Sequence, residues 1–331
     1  MKKLLAGDVG ATKTILGIYS AEKGPQEPLA QATFPSSQYP GLAALVSAFL
    51  AEAKLDVEDA CFGVAGPVID GQATISNLPW RVDQAGLKKE LKLKSVILLN
   101  DVEATAHGAP LLKPAELHCL NKGEEIKGGT KAVIAAGTGL GEAFLFWDGA
   151  RYQAHASEGG HADFAPTNAL EDDLLQHLRD LWGHVSYERV CTGMGLPHIY
   201  AYLRESGYAE EPGWLAQQLA ETDDPTALIV DAALAQRAKL CTDTVNLFCS
   251  VLGAEAGNLA LKAMALGGVY LGGGIPLRII AALGKGPFME AFCHKGRLSK
   301  LMARIPVDVI LDPKIALIGA AFKGLELFQD S

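Results

Sequence analysis

The sequence predicts an α/β protein built in two parts. Three observations carry this. Short apolar runs with strand character alternate with helical stripes. The chain has 331 residues, enough for two domains of ordinary size. And one local pattern occurs twice. LLAGDVGATKTILGIYS takes an apolar run through Gly7, Asp8, Val9, Gly10, Ala11 and Thr12 into a second β-rich run. KAVIAAGTGLGEAFLFW does the same around Gly137, Thr138 and Gly139. Each reads as a strand, a tight Gly/Thr turn and a returning strand. Glycines there let backbone N–H groups approach an anion closely, and a threonine adds a hydroxyl donor. Two such hairpins suggest two half-sites for one polyphosphate. That points to a nucleotide-dependent phosphotransferase.

The elements follow in order. Leu4 to Val9 is a buried strand and Thr14 to Tyr19 its hairpin partner. Residues 25–40 read as broken and turn-rich, with prolines at 25, 28, 35 and 40. Leu42 to Ala53 carries apolar residues at 42, 45, 46, 49 and 50, the stripe of a helix. Ala60 to Ala65 and Ser95 to Leu99 are short apolar strands, the second ending in Asn100-Asp101. A second part begins near Ala115, with strands over 131–136, 142–147 and 151–155, the last two joined by an Asp148-Gly149 turn. Leu170 to Trp182 is a helix, and Asn168 with Glu171 has capping-box spacing. Residues 225–266 are mostly helical. Gly267 to Leu271 leads into Gly272, Gly273 and Gly274. Ile305 to Leu311 is a last strand, and Ile315 to Phe328 a closing helix expected to return to the first part. No low-complexity linker separates the parts. The chain therefore crosses their boundary more than once, a topology suited to closure on ligands.

The bulk numbers limit the function. The chain is 49% hydrophobic, so a sizeable core is available, and its net charge is −9. An acidic chain argues against nucleic-acid or anionic-membrane partners. No run approaches the ~20 apolar residues of a membrane span. Met1-Lys2-Lys3 before Leu4-Leu5-Ala6 imitates a signal peptide, but Gly7-Asp8 ends the apolar run too early. The six cysteines, at 61, 119, 191, 241, 249 and 293, are scattered without a C-x-x-C pair. They read as free thiols of a reducing cytoplasm.

Several polar residues could carry chemistry. Asp8 lies at the carboxyl end of a strand beside a glycine turn, where a carboxylate could hold Mg²⁺. It could equally be a turn aspartate bonding its own backbone. Asp101 also follows a strand, where open α/β sheets gather ligands, and could accept a proton from an attacking hydroxyl. The alternative for Asn100-Asp101 is a helix N-cap, which is the better reading of that pair alone. Glu158-Gly159-Gly160-His161 suggests a loop built for close approach, with Glu158 and His161 able to pair with several hydroxyls. Glu-x-x-His also invites a metal reading. No helical pattern places the two on one face, however, and no partner motif accompanies them. Glu188 reads by itself as a solvated residue at a helix start.

Six strings together do more than any one. GDVGAT, LLNDVEATAHG, AAGTGLG, SEGGHADFAP, HVSYERVCTG and GGVYLGGGIP occur in the order and spacing of bacterial ATP-dependent glucokinases, and the chain resembles that family over essentially its whole length. The resemblance implies the two-domain actin-like ATPase (ribonuclease H-like) fold with a deep interdomain cleft. A small α/β domain would comprise residues 1–114 plus 315–331, and a large α+β domain 115–314. It implies ATP with Mg²⁺, and phosphorylation of D-glucose at its 6-hydroxyl. Gly7, Asp8, Val9, Gly10, Ala11 and Thr12 would form the first phosphate loop, and Gly137, Thr138 and Gly139 the second. Gly272, Gly273 and Gly274 would lie near the adenosine. Asp101 would be the general base. Asn100, Asp101, Glu158, His161 and Glu188 would bind glucose, with Asn77 close by. The family commonly forms homodimers.

The chain departs from the family at the first turn, where a usual G-G-T-N reads Gly10-Ala11-Thr12-Lys13. Ala11 costs little there if its φ is negative. The cysteine-rich zinc motif of the repressor-related sugar kinases is absent. Two rival readings remain at this stage: a kinase for another hexose or amino sugar, and a non-catalytic ATP-binding regulator of the same superfamily.

Overall fold

The structure, a computed structural model, describes residues 2–326. Two compact units make it up. The first comprises residues 1–113, 143–156 and 312–331, and the second residues 114–142 and 157–311. The segment 143–156, assigned on sequence to the second part, groups with the first unit.

The first unit is organised by a five-stranded sheet. Its strands are β1 (Lys3–Val9), β2 (Lys13–Ser20), β3 (Ala30–Pro35), β4 (Asp59–Val64) and, after three short strands, β8 (Ser95–Asn100). The order is β3-β2-β1-β4-β8. β1, β4 and β8 are parallel, and β2 and β3 extend the sheet antiparallel. The central strands are covered on both faces, which is why β1 and β4 read as nearly continuous apolar runs. Alternation still sorts their side chains. Leu5 and Val9 join the core that holds Leu45, Val46 and Phe49 of the helix Leu42–Ala53. Leu4 and Ala6 join the core that holds Ala104, Leu317 and Ala321. The closing helix Ile315–Glu326 lies there, packed on β1, β4 and the helix Asp101–Gly108. Replacing the fully buried Leu45 by alanine costs about 2–5 kcal/mol by transfer and cavity terms. The expected helix end at Phe328 lies outside the described residues. The three short strands, β5 (Val68–Ile69), β6 (Gln72–Thr74) and β7 (Arg81–Asp83), form a small antiparallel sheet.

The other sheet strands are β9 (Leu117–Asn121), β10 (Lys131–Ala136), β11 (Leu140–Trp147), β12 (Tyr152–Ser157), β13 (Gly268–Gly272) and β14 (Val307–Ile310), ordered β12-β11-β10-β13-β14-β9. β10, β13 and β14 are parallel. The helix Lys239–Ala263 packs along β10 and β13 and buries residues around most of its circumference. That breadth explains the alanine- and glycine-rich sequence read as helical.

Two expectations need correction. Residues 25–40 are not all turn, because Ala30–Pro35 is the edge strand β3. Its inner and outer positions alternate, but Gln31, Thr33 and the flanking prolines hide the signal. Edge position explains why Pro35 is tolerated. The capping box at Asn168 is only half formed. Asn168 Oδ1 accepts from Glu171 N–H at 3.1 Å, yet the Glu171 carboxylate reaches Thr167 and Ser250 instead of the cap backbone.

Candidate active site

In the first unit, parallel pairing fixes which residues share an end of the sheet. Asp8 of β1 lies opposite Gly63 of β4, and Val64 of β4 lies opposite Asn100 of β8. Asp8 and Asn100-Asp101 therefore emerge at the same carboxyl end, two strand spacings or roughly 10 Å apart. Ligands gather at such ends in α/β sheets. Asp8 is half-buried, and loss of water pushes its carboxyl up to about 6, against the pull of the Lys13 ammonium.

The turn after Asp8 is fixed from behind. Gly10 N–H donates to the Lys13 carbonyl at 3.1 Å, and Ser36 Oγ donates to the Gly10 carbonyl at 2.7 Å. Ser36 N–H also donates to the Thr12 carbonyl at 3.2 Å. Thr12 and Lys13 are exposed. Ala11 is not among the residues with positive φ, so its side chain is accommodated without strain. Ser36 was invisible as a support in the sequence, being 26 residues away from Gly10.

The Asn100-Asp101 pair divides its duties. Asn100 is the N-cap of the helix Asp101–Gly108. Its Oδ1 accepts from Val102 N–H at 2.9 Å and Glu103 N–H at 3.2 Å, and Glu103 completes a capping box. Asn100 Nδ2 donates to the Gly66 carbonyl at 3.2 Å. Asp101 is thus the first helical residue, not the cap, and the helix's positive end favours its charge. Its Oδ1 accepts from Val102 N–H at 2.9 Å. Asn77 is exposed in the left-handed region, φ 61°, in the bend between β6 and β7. Ser76 N–H donates to the Ala65 carbonyl at 2.9 Å, so this bend lies beside the Gly66 that Asn100 grips.

The second unit brings together residues far apart in sequence. Gly137 N–H donates to the Gly139 carbonyl at 2.9 Å, and Gly193 N–H donates to the Gly137 carbonyl at 2.9 Å. The next amide, Leu140 N–H, donates to Glu188 Oε2 at 3.1 Å. Glu188 does lie in the first turn of a short helix, Tyr187–Val190, as its local sequence suggests, but it is half-buried and held by this amide rather than solvated. His161 Nδ1 lies 3.9 Å from Glu188 Oε1, and its Nε2 lies 3.9 Å from Glu158 Oε2. His161 and Glu158 are exposed and Glu188 half-buried. They form a polar surface suited to a small hydroxylated molecule. Gly272, Gly273 and Gly274 follow β13. A Cβ on Gly273 would sit 2.2 Å from the Ala136 carbonyl oxygen, so this third glycine turn presses on the strand that leads into the second.

The two glycines of Glu158-Gly159-Gly160-His161 have a steric reason. A Cβ on Gly160 would sit 2.0 Å from the Leu140 carbonyl oxygen, and one on Gly159 would sit 1.9 Å from Glu142 Oε2. The loop lies directly on the start of β11. Glu142 was missed on sequence, although a glutamate inside an apolar strand run is a signal in itself. Among the described residues no cluster of three or more His, Cys, Asp or Glu side chains could hold a metal ion. Mg²⁺ needs no such cage, since one carboxylate with substrate phosphates and water commonly suffices. Asp8, with its poorly solvated carboxyl beside a phosphate-type turn, fits that requirement.

The units thus define a two-part α/β protein with a glycine turn in each and a polar cluster in the second, consistent with an actin-like sugar-kinase fold. A glucokinase family model matches residues 5–326. Glucokinase from Nostoc punctiforme is 40% identical over 341 residues, covering 99% of this chain and all of that one. The crystal structure of glucokinase from an Antarctic psychrotroph superposes with a TM-score of 0.83 at 30% identity, over 98% of this chain and 99% of the other. A glucokinase of the ROK family from Streptomyces griseus, in complex with glucose and AMPPNP, shares the fold at 21% identity and a TM-score of 0.67, over 98% and 99% of the two chains. This chain belongs to the glucokinase family.

Proposed function

We propose that this protein transfers the γ-phosphoryl group of ATP to the 6-hydroxyl of D-glucose, giving glucose 6-phosphate and ADP. The observation that carries the reading is the contact of Glu188 with Leu140 N–H beside the second glycine turn. Through it one side chain ties a phosphate-type turn to the acceptor surface of Glu158 and His161. A pure nucleotide-binding module has no need of that coupling.

Roles are assigned residue by residue. Glu158, His161 and Glu188 bind glucose hydroxyls, and Asn100 and Asn77 are assigned to the same ligand by the family resemblance. Asp101 accepts the 6-hydroxyl proton as that oxygen attacks the γ-phosphorus and the bond from phosphorus to the ADP oxygen breaks. Gly7 to Thr12 and Gly137 to Gly139 offer backbone N–H groups and threonine hydroxyls to the phosphates. Gly272 to Gly274 line the adenosine. Asp8 holds Mg²⁺, which supplies charge neutralisation on the phosphate oxygens when bound. The residues' work is positioning and electrostatics, as in phosphoryl transfer generally. Support for ATP as donor comes from the Streptomyces griseus fold relative, which holds glucose and AMPPNP together.

The division into residues 1–114 plus 315–331 and 115–314 is retained as the functional one, modified by the grouping of residues 143–156. The same reading places the protein in the cytoplasm as a homodimer, with neither nucleic acid nor membrane as a partner. The net charge of −9 supports the last point, and no described helix is long and apolar enough to cross a membrane.

The test is ADP formation from Mg-ATP with and without glucose, with mannose, fructose and N-acetylglucosamine in parallel. Strong stimulation by glucose is expected. Stimulation by another sugar alone would move the substrate. ATP binding without stimulation by any sugar would overturn the enzymatic reading.

A further inference from the structure

Beneath the acceptor surface lies a pair of carboxyl groups that the reaction does not use. Glu142 of β11 is 1% exposed and Glu255 of the helix Lys239–Ala263 is fully buried. Each has one oxygen, Oε1, with no hydrogen-bond partner among the described residues. Buried carboxylates left so are costly unless a proton neutralises one of them. Both side chains reach the acceptor residues from below. Glu142 Oε2 occupies the space where a Gly159 side chain would stand, directly under the Glu158–His161 turn. Glu255 Oε2 accepts from Asn258 Nδ2 at 2.9 Å, and the same Nδ2 donates to the Tyr187 hydroxyl at 3.1 Å. Tyr187 precedes Glu188.

We propose that Glu142 and Glu255 share one proton and act as positioning residues for the sugar-binding carboxylates Glu158 and Glu188. The inference rests on the assignment of those two residues to glucose. With the proton in place, the neutral carboxyl of one glutamate donates to the carboxylate of the other, and the Gly159 turn rests on a compact pair. Without it, two like charges confront each other in a dry site, and the turn above is the side that can yield. Burial, and then the facing Glu255, push the Glu142 carboxyl up to about 8. The surrounding groups set the balance. Lys262 Nζ lies 3.6 Å from Glu255 Oε1 and opposes the rise. The Lys295 ammonium is tied to Asn258 Oδ1 at 2.6 Å and to the Ala254 carbonyl at 2.9 Å. Glu171 faces Lys295 and Cys191, while the Cys191 thiol and Tyr187 hydroxyl are held protonated by burial and by Glu255.

The sign is definite. An acid whose folded-state value is raised keeps its proton to higher pH. The Glu142 carboxyl keeps its proton at neutral pH and loses it as pH rises through about 8. Glucose affinity should therefore be flat below that region and weaken above it.

The experiment is glucose Kd against pH, with kcat at saturating sugar, for the wild type and for Glu142→Gln, Glu142→Ala, Glu255→Gln and Glu158→Gln. Glu142→Gln should bind within about threefold of the wild type at neutral pH and lose the alkaline weakening. Glu142→Ala should weaken glucose by roughly tenfold or more, as misplaced positioning residues do, with kcat nearly unchanged. Glu255→Gln should move the alkaline weakening to lower pH, because the like charge is gone. An alkaline limb in Glu142→Gln matching the wild type, or no limb in the wild type, would overturn the proposal. Should Glu142→Ala fail to fold, the Glu142→Gln profile still decides. Glu158→Gln separates the two readings. Wild-type affinity there removes the sugar-site assignment and this proposal with it. Weak binding there, combined with a wild-type profile in Glu142→Gln, removes this proposal alone.

Discussion

The two glycine turns look alike in sequence and differ in what they touch. The first, Gly7 to Thr12, is braced by Ser36 and opens beside the Asp8 carboxyl, on the same sheet end as Asp101. The second, Gly137 to Gly139, has no carboxylate of its own. Its following amide, Leu140 N–H, instead holds Glu188 of the acceptor surface. One turn thus lies at a sheet end with two aspartates, while the other is tied to a glutamate of a distant segment. A repeated local motif is set into different surroundings, and the neighbours from distant segments distinguish the two copies.

That contrast can be broken most forcefully at Asp101. With Asp101 as the proposed general base, Asp101→Asn should lose about 10²–10⁴-fold in kcat while glucose Kd stays near wild type. A folded Asp101→Asn protein with near-wild-type kcat would erase the chemical character given to the first region. Glu158→Gln tests the opposite side. Loss of a charge-assisted hydrogen bond of roughly 1.5–3 kcal/mol should weaken glucose by about 10–100-fold and leave kcat largely intact. An unchanged Kd and KM would dissolve the division between the two regions.

Asp8 sharpens the comparison through stability. Its carboxyl is raised from 3.8 to about 6, so its neutral form favours the folded state most below pH 3.8. That contribution fades as pH rises through about 6, where the carboxylate proposed to hold Mg²⁺ becomes charged. Asp8→Asn should therefore lower Mg²⁺-dependent turnover yet raise the thermal midpoint of the ligand-free protein at pH 7–8, by a gain of at most about 2–3 kcal/mol. Calorimetry and a Mg²⁺ titration of ADP release check the two halves. A lower midpoint would show that the buried charge is well solvated after all. The smallest effect belongs to Ala11→Gly. Since Ala11 has no positive φ, glycine gains it no conformational relief and costs about 0.4–1 kcal/mol through the unfolded chain, with KM for ATP unchanged. A marked fall in KM for ATP would mean that the Ala11 methyl crowds the phosphates.

Much of the fold was legible in the sequence because its signals are local. Apolar runs such as LLAGDV and AVIAA mark strands covered on both faces, and the 42–53 stripe begins and ends where the helix does. Edge strand β3 was missed because one solvated face and flanking prolines leave no apolar run to see. Family resemblance proposed the site residues; local reading was right that the Asn100-Asp101 pair caps a helix and misjudged only the exposure of Glu188. Asn100 spends most of its side chain on the cap, leaving Asp101 as the first residue of the helix. Glu188 reads as solvated until β11 places Leu140 N–H against it.

By itself the sequence determined most of the long strands and helices in their order, the two glycine turns and the family. These follow from side-chain period, backbone freedom and short motifs, all properties of neighbours along the chain. Only the tertiary structure decided that Ser36 braces the first turn, that Gly159 and Gly160 are small because β11 lies beneath them, and that Glu142 and Glu255 are both buried where one feels the other's charge. Those relations join residues 26, 17, 20 and 113 positions apart. Steric exclusion and desolvation act through space, and a linear pattern holds no record of which distant groups will share it.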